Sequence, residues 1–323
     1  MVLKIDHLRM KKITGKGIWE VLKNCFQGFS DDRLMKLSAA LAYYTVFSLG
    51  PLLIVIVFLC SIFFGKDAVE GSIYGQIENF VGHDAAAQLQ QIIKNAAISG
   101  KSSIAATIGI ITLLIGATSV FAEIQDSINF IWGLKVKPKK AWFVLIKNRL
   151  LSFGVIGSLG FLLLVSLAIT ALVEGLSKRL RAHFPDVTIV LFYIINLVVT
   201  FGVVTALFAV IFKVLPDAKI KWRDVMSGAI ATALLFMLGK FAISLYISKA
   251  NVGSTYGTAG SLVILLVWIY YSSIILYFGA EFTKAWAVKY GGEIHPNEYT
   301  IVSKTVEVEE GKKSIQQVEK KNS

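Results

Sequence analysis

The chain has 323 residues, of which 55% are hydrophobic and 17% charged, and its mean hydropathy is +0.66. That is too apolar for an ordinary soluble domain. The net charge of +12 suits nucleic acid in a soluble chain, but in an apolar one it reports basic cytosolic loops beside anionic lipid, so the bilayer is the expected partner and nucleic acid is not. Two cysteines without a CxxC spacing, Cys25 and Cys60, argue against a disulfide framework or a thiolate metal site. His7, His83, His183 and His295 are scattered outside the apolar runs, so neither a metal site nor a cofactor is expected.

In chain order, residues 1–37 form a basic cytosolic segment in which no signal peptide is expected, because the first long apolar run begins only at Ser38. Within it Ile18, Leu22, Cys25, Phe26 and Phe29 recur at helical spacing, with Trp19 alongside and Lys16, Glu20 and Lys23 between them. This predicts a short amphipathic helix, lying on the membrane surface or packed on the cytosolic end of a bundle. Residues 38–64 are the first span, polar in its first half through Tyr43, Tyr44, Thr45 and Ser48, and kinked at Pro51. Residues 65–103 follow, with spacing that predicts two short amphipathic helices in the first extracytoplasmic loop.

The second span, 104–132, organises the rest. It is long enough to cross a hydrocarbon core, which needs about 20 residues. Yet Gly109, Thr112, Gly116, Ser119, Glu123 and Asp126 form one small and polar stripe at spacings of three and four. Such a stripe should face protein or water rather than lipid. The remaining spans are 150–173, with Arg149 at its start, 188–212, 225–247, with Lys240 inside it, and 261–286 after the glycine-rich stretch NVGSTYGTAG. The expectation is an all-α polytopic membrane protein. It has six transmembrane helices over 38–287 and a polar, disordered cytosolic tail over 288–323.

Orientation follows from the basic residues. The two termini and the second and fourth loops hold 24 Lys and Arg, while the first, third and fifth loops hold 7. Both termini then belong in the cytosol. With that topology Tyr43, Tyr44, Glu123, Asp126, Arg149 and Glu281 all fall in the cytosolic half of the bilayer. They are the candidate lining of a polar cavity built by the first, second and sixth spans. The bland alternative is a dry bundle in which Arg149, Lys284 and tyrosine hydroxyls satisfy the acids. Glu281 shares a stripe with Tyr270, Ile274 and Tyr277, which favours packing there. Gly253, Gly257 and Gly260 read as a tight turn rather than an anion site. Asp224 suits an N-cap, and Trp222 and Arg223 suit contacts to phosphate headgroups at the interface.

Three stretches carry a resemblance: AALAYYTVFSLGPLL (39–53), LPDAKIKWRDVMSGA (215–229) and YGTAGSLVILLVWIYYSSIILYFGAEFTKAWA (256–287). Together they resemble the YihY/BrkB family of bacterial inner-membrane proteins, over nearly all of 17–289. The resemblance implies six helices, cytosolic termini, and links to serum resistance and to export of envelope lipid or lipopolysaccharide. Some members carry the name ribonuclease BN, but RNA hydrolysis needs positioned acid–base groups or a metal in water-accessible protein, and the soluble segments offer neither. Two readings stay open: a transporter or flippase-like permease for a lipid or amphipathic solute, and a non-transporting scaffold of the envelope. No catalytic residue is expected. No GxxxxGK[ST] motif is present, which argues against ATP use by this chain.

Overall fold

The computed structural model describes residues 13–48, 116, 119–137, single helical positions between 151 and 169, 185–249, 260–292 and 294–303. Pro51, the helices expected over 65–103, Arg149, Gly253 and Gly257 lie outside the described residues.

Helix α1 (Gly15–Asp31) starts where Thr14 leaves extended backbone, with φ −124° and ψ 149°, and its hydroxyl accepts from the Gly17 N–H at 3.2 Å. That satisfies one of the donors a helix start leaves free. The helix closes with Asp32 N–H on the Gly28 carbonyl, and Arg33 then adopts a left-handed φ of 52°. A left-handed residue after a helix reverses the chain direction, and here it opens helix α2 (34–48) at an elbow. Helix α3 (119–131) is the C-terminal part of the stripe-bearing stretch 104–132, and Gly133 stops it at φ 67°.

Helices α4 (Pro185–Val214), α5 (Trp222–Lys249) and α6 (Gly260–Tyr290) follow. Each is long and apolar enough to cross a membrane, over Val190–Val214, Trp222–Ile243 and Leu262–Tyr290. These match the fourth, fifth and sixth expected spans. Their outer faces carry Leu197, Val198, Leu234, Leu238 and Phe241, all exposed, as lipid-facing residues must be in a protein whose solvent there is hydrocarbon.

Small residues hold α5 against α6. Gly228 faces Thr283, and Gly279 faces Thr232, so tightly that a Cβ on either glycine would overlap the threonine side chain. Each threonine hydroxyl bonds back to its own helix, Thr232 to the Gly228 carbonyl at 2.6 Å and Thr283 to the Gly279 carbonyl at 2.7 Å. The two helices thus use the same Gly-x-x-x-Thr device in opposite directions. Close approach, not hydrophobic driving force, is what joins helices in lipid. Ala229, Ala233 and Ala280 lie fully buried beside these contacts.

The core is continuous from α2 through α3, α4, α5 and α6, with Leu34, Ile128, Ile131, Phe212, Leu215 and Tyr277 all enclosed. Phe208 stacks on Phe212 at 6.0 Å, and Phe236 meets both Phe208 and the Trp268 edge at just under 6 Å between ring centres. Trp132 at the end of α3 donates its ring N–H to the Ala280 carbonyl of α6 at 3.1 Å.

The segment expected to be a disordered tail from 288 is ordered as far as 303. Strand β3 (His295–Pro296) pairs antiparallel with β2 (Ala218–Lys219), and β4 (Thr300–Val302) pairs antiparallel with β1 (Leu134–Val136). The chain after α6 therefore straps together the α3 exit and the α4–α5 turn. Polarity alone misled here, because this segment finds its order in backbone pairing and one buried carboxylate rather than in an apolar core.

Candidate functional site

Where α3 ends, its faces separate. The residues Gln125 and Asn129, one turn apart, turn inward and are buried. The stripe Gly116, Ser119, Glu123, Asp126 turns the other way. Gly116, Ser119 and Glu123 are half-buried, while Asp126 and Phe130, which continues the stripe by one turn, are exposed. Ser127 donates to Glu123 Oε1 at 3.4 Å.

On the inward face sits a group that the sequence reading did not single out. Asp217, in the turn between α4 and β2, is 1% exposed. Its Oδ1 accepts from Gln125 Nε2 at 3.2 Å and from the Tyr299 hydroxyl at 2.9 Å, and its Oδ2 accepts from Asn129 Nδ2 at 2.9 Å. Its backbone N–H donates to Asn129 Oδ1 at 2.9 Å, and its carbonyl accepts from Asn297 N–H at 3.0 Å. Asn297 Nδ2 in turn donates to the Tyr299 hydroxyl at 3.0 Å. Three neutral donors from two distant segments thus enclose one carboxylate, and its charge strengthens each bond. Burial, and next the Asp217 carboxylate beside it, push the Tyr299 phenol well above the usual tyrosine range. The signal that could have found this hub is the pair Gln125 and Asn129, two amides at i and i+4 on an apolar run, which called for a buried partner.

Asp224 is likewise repositioned. Expected as an N-cap, it lies inside the first turn of α5, and its Oδ2 accepts from the Gly292 N–H at 3.1 Å, so it clamps the end of α6. Trp222 is exposed, with the Lys213 ammonium 5.6 Å from its ring centre, and Arg223 is exposed beside it.

The structure divides the candidate cavity residues. Glu123 accepts from Ser127 of its own helix, and Asp126 stands exposed three residues on. The Tyr277 hydroxyl is enclosed and makes no full hydrogen bond among the described residues. Glu281 goes elsewhere. It is buried against Gly28 of α1, and Lys284 reaches it at 3.2 Å while standing 3.5 Å from Asp32 at the elbow. Lys284 also donates to the Ile131 carbonyl. Glu281 therefore joins α6 to the α1–α2 elbow and to α3, with Lys284 as its local counter-charge. Tyr43 and Tyr44 are exposed on α2 and meet each other edge-on at 5.9 Å, with Phe47 4.9 Å from Tyr43. Cys25 is enclosed between α1 and α6; burial, and secondarily the nearby Glu281, push its thiol up to about 12, so it is not a reactive group. Among the described residues no cluster of His, Cys, Asp and Glu could hold a metal ion.

Comparison with known proteins fits this picture. The family model described as virulence factor BrkB matches residues 25–299, which runs from α1 to the tyrosine that closes the Asp217 hub. A membrane protein of Methylibium petroleiphilum is 27% identical over 273 residues, covering 81% of this chain and 61% of its own. One from Stenotrophomonas maltophilia is 29% identical over 263 residues, covering 80% and 59%. One from Alteromonas mediterranea is 25% identical over 267 residues, covering 81% and 84%. The chain thus spans about three fifths of the length of the first two relatives. All three are named UPF0761 membrane proteins. No solved structure matches. With a membrane-spanning helical bundle and a family match from 25 to 299, the chain belongs to the BrkB family of membrane proteins.

Proposed function

We propose that this protein is a permease or flippase-like carrier of the bacterial inner membrane, with six spans and cytosolic termini, that moves a lipid or other amphipathic solute in envelope maintenance. The carrying observation is the stripe on α3. Its small and acidic residues form the least buried face of the helix and become more open toward the end where Asp126 and Phe130 stand together. A carboxylate beside an exposed ring at this depth suits a solute with a polar head and an apolar tail. Leaving such a carboxylate facing hydrocarbon costs up to roughly 3 kcal/mol.

The topology has its own support. The α3 exit, the α4–α5 turn and the segment after α6 meet at one end of the bundle through β1–β4 and β2–β3. Six spans with both termini on one side require that arrangement, and these are the basic loops.

The test is Glu123→Gln. Expression and melting temperature should stay near wild type, while complementation of a deletion strain and the lipid composition of its envelope should not be restored. A Glu123→Gln protein that complements fully overturns the carrier reading at this residue. It would favour the scaffold reading, which draws on the Asp217 hub as a device that merely fixes one end of the bundle.

A further inference from the structure

Helix α1 has three sectors, set by the 100° step between helical residues. Gly17, Val21 and Cys25 form the buried sector and face Ala285, Phe278, Phe282 and Tyr290 of α6. The approach is close: a Cβ on Gly17 would overlap the Tyr290 ring, and one on Gly28 would stand 2.7 Å from the Glu281 carboxyl carbon. The docking edge is therefore narrow and made of small residues. A second sector carries Ile18, Trp19, Leu22, Phe26 and Phe29. It is only partly used in this docking: Leu22 and Phe29 are half-buried, but Trp19 is 70% and Phe26 66% exposed. A third sector is polar, with Lys16, Glu20, Lys23, Asn24 and Gln27 all exposed. Glu20 is occupied by Lys289 of α6, which leaves Lys16 and Lys23 as the charges at the border of the apolar sector.

We propose that α1 is an interfacial helix: its apolar sector enters the headgroup and upper acyl region of the leaflet at this end of the bundle, and Lys16 and Lys23 select anionic phospholipid there. The occupant follows from two features. The apolar sector is continuous with a membrane-crossing helix, since Phe26 and Phe29 meet Phe278 at 5.4 and 6.5 Å between ring centres, inside the span Leu262–Tyr290. Its border is cationic, which complements an anionic leaflet and not a neutral one. A tryptophan at the border, Trp19, is the side chain most at home at headgroup depth. A soluble protein partner would leave both features unexplained. The proposal is independent of whether the protein carries a solute.

The experiment uses the full chain with Cys25 and Cys60 replaced by alanine, reconstituted in nanodiscs. Single cysteines replacing Phe26, Trp19 and, as control, Asn24 carry an environment-sensitive fluorophore. Quenching is read with doxyl-labelled phosphatidylcholine or phosphatidylglycerol. Positions 26 and 19 should be quenched strongly and position 24 weakly, with phosphatidylglycerol the more effective quencher. Lys16→Gln with Lys23→Gln should abolish that preference, by on the order of five-fold per lysine. Position 19 keeps the test valid if the replacement at 26 disturbs the contact with Phe278. Equal quenching at 24 and at 19 and 26 would overturn the interfacial placement. Equal quenching by both lipids, unchanged by the lysine replacements, would overturn the anionic selectivity.

Discussion

Asp217 is a single carboxylate on which three chain segments depend. Removing it takes the carboxylate acceptor from the buried donors of Gln125, Asn129 and Tyr299, and each buried donor left unsatisfied costs about 1–3 kcal/mol. Asp217→Ala should therefore lose several kcal/mol, seen as a large fall in melting temperature in detergent and as proteolysis after α6. Tyr299→Phe removes one bond to a charged acceptor and should cost about 1.5–3 kcal/mol. A wild-type melting temperature for Asp217→Ala would show that the hub contributes nothing. The phenol also sets an alkaline limit. Its value is raised in the fold, so its contribution is complete below the unfolded tyrosine value near 10 and falls as pH rises toward the folded one. Wild type should lose more stability between pH 9 and 11 than Tyr299→Phe does, and parallel losses would refute the linkage.

At the scale of elements, the α5–α6 pair separates stiff contacts from yielding ones. An alanine at Gly228 would overlap Thr283 Oγ and stand 3.2 Å from the Thr283 Cα, and one at Gly279 would overlap Thr232. Both neighbours are β-branched, short and bonded back to their own helix, so they cannot swing aside. At Gly239 the overlap is with the hydroxyl tip of Tyr271, the far end of a long side chain. Gly228→Ala and Gly279→Ala should each cost about 1–3 kcal/mol by overpacking, and Gly239→Ala clearly less; thermal unfolding in one detergent would rank them, and the reverse order would defeat the argument. Hydropathy made α4, α5 and α6 legible because membrane helices announce themselves by length, and the α3 stripe was legible because its period is local. The hub was not, because Asp217 meets partners 82 to 92 residues away. In sequence it looks like any turn residue. The packing of Glu281 against Gly28 and the reach of its counter-charge Lys284 to Asp32 at the α1–α2 elbow depend on a left-handed Arg33 that no spacing rule foretells.

The whole molecule makes one demand that can be checked without knowing any solute. The strap after α6 reaches both the α3 exit and the α4–α5 turn, so these three segments share a side of the membrane. The proposed topology puts that side in the cytosol, on the strength of 24 Lys and Arg in the termini and even-numbered loops against 7 in the odd-numbered ones. Single cysteines at Lys135, Lys219 and Ile301, in a background lacking Cys25 and Cys60, should resist a membrane-impermeant thiol reagent added to intact cells and react once the membrane is opened. Lys135 and Ile301 stand opposite each other in the β1–β4 register, and Lys219 lies in β2. A cysteine at Gln90, in the expected first extracytoplasmic loop, should react in intact cells. Reaction at 135 or 301 but not at 90 would invert the topology. It would also move Glu123 and Asp126 to the outer leaflet and the α1 surface to the other face, so the cytosolic termini of the carrier reading stand on this one orientation, whereas α1 would meet the opposite leaflet through the same apolar sector.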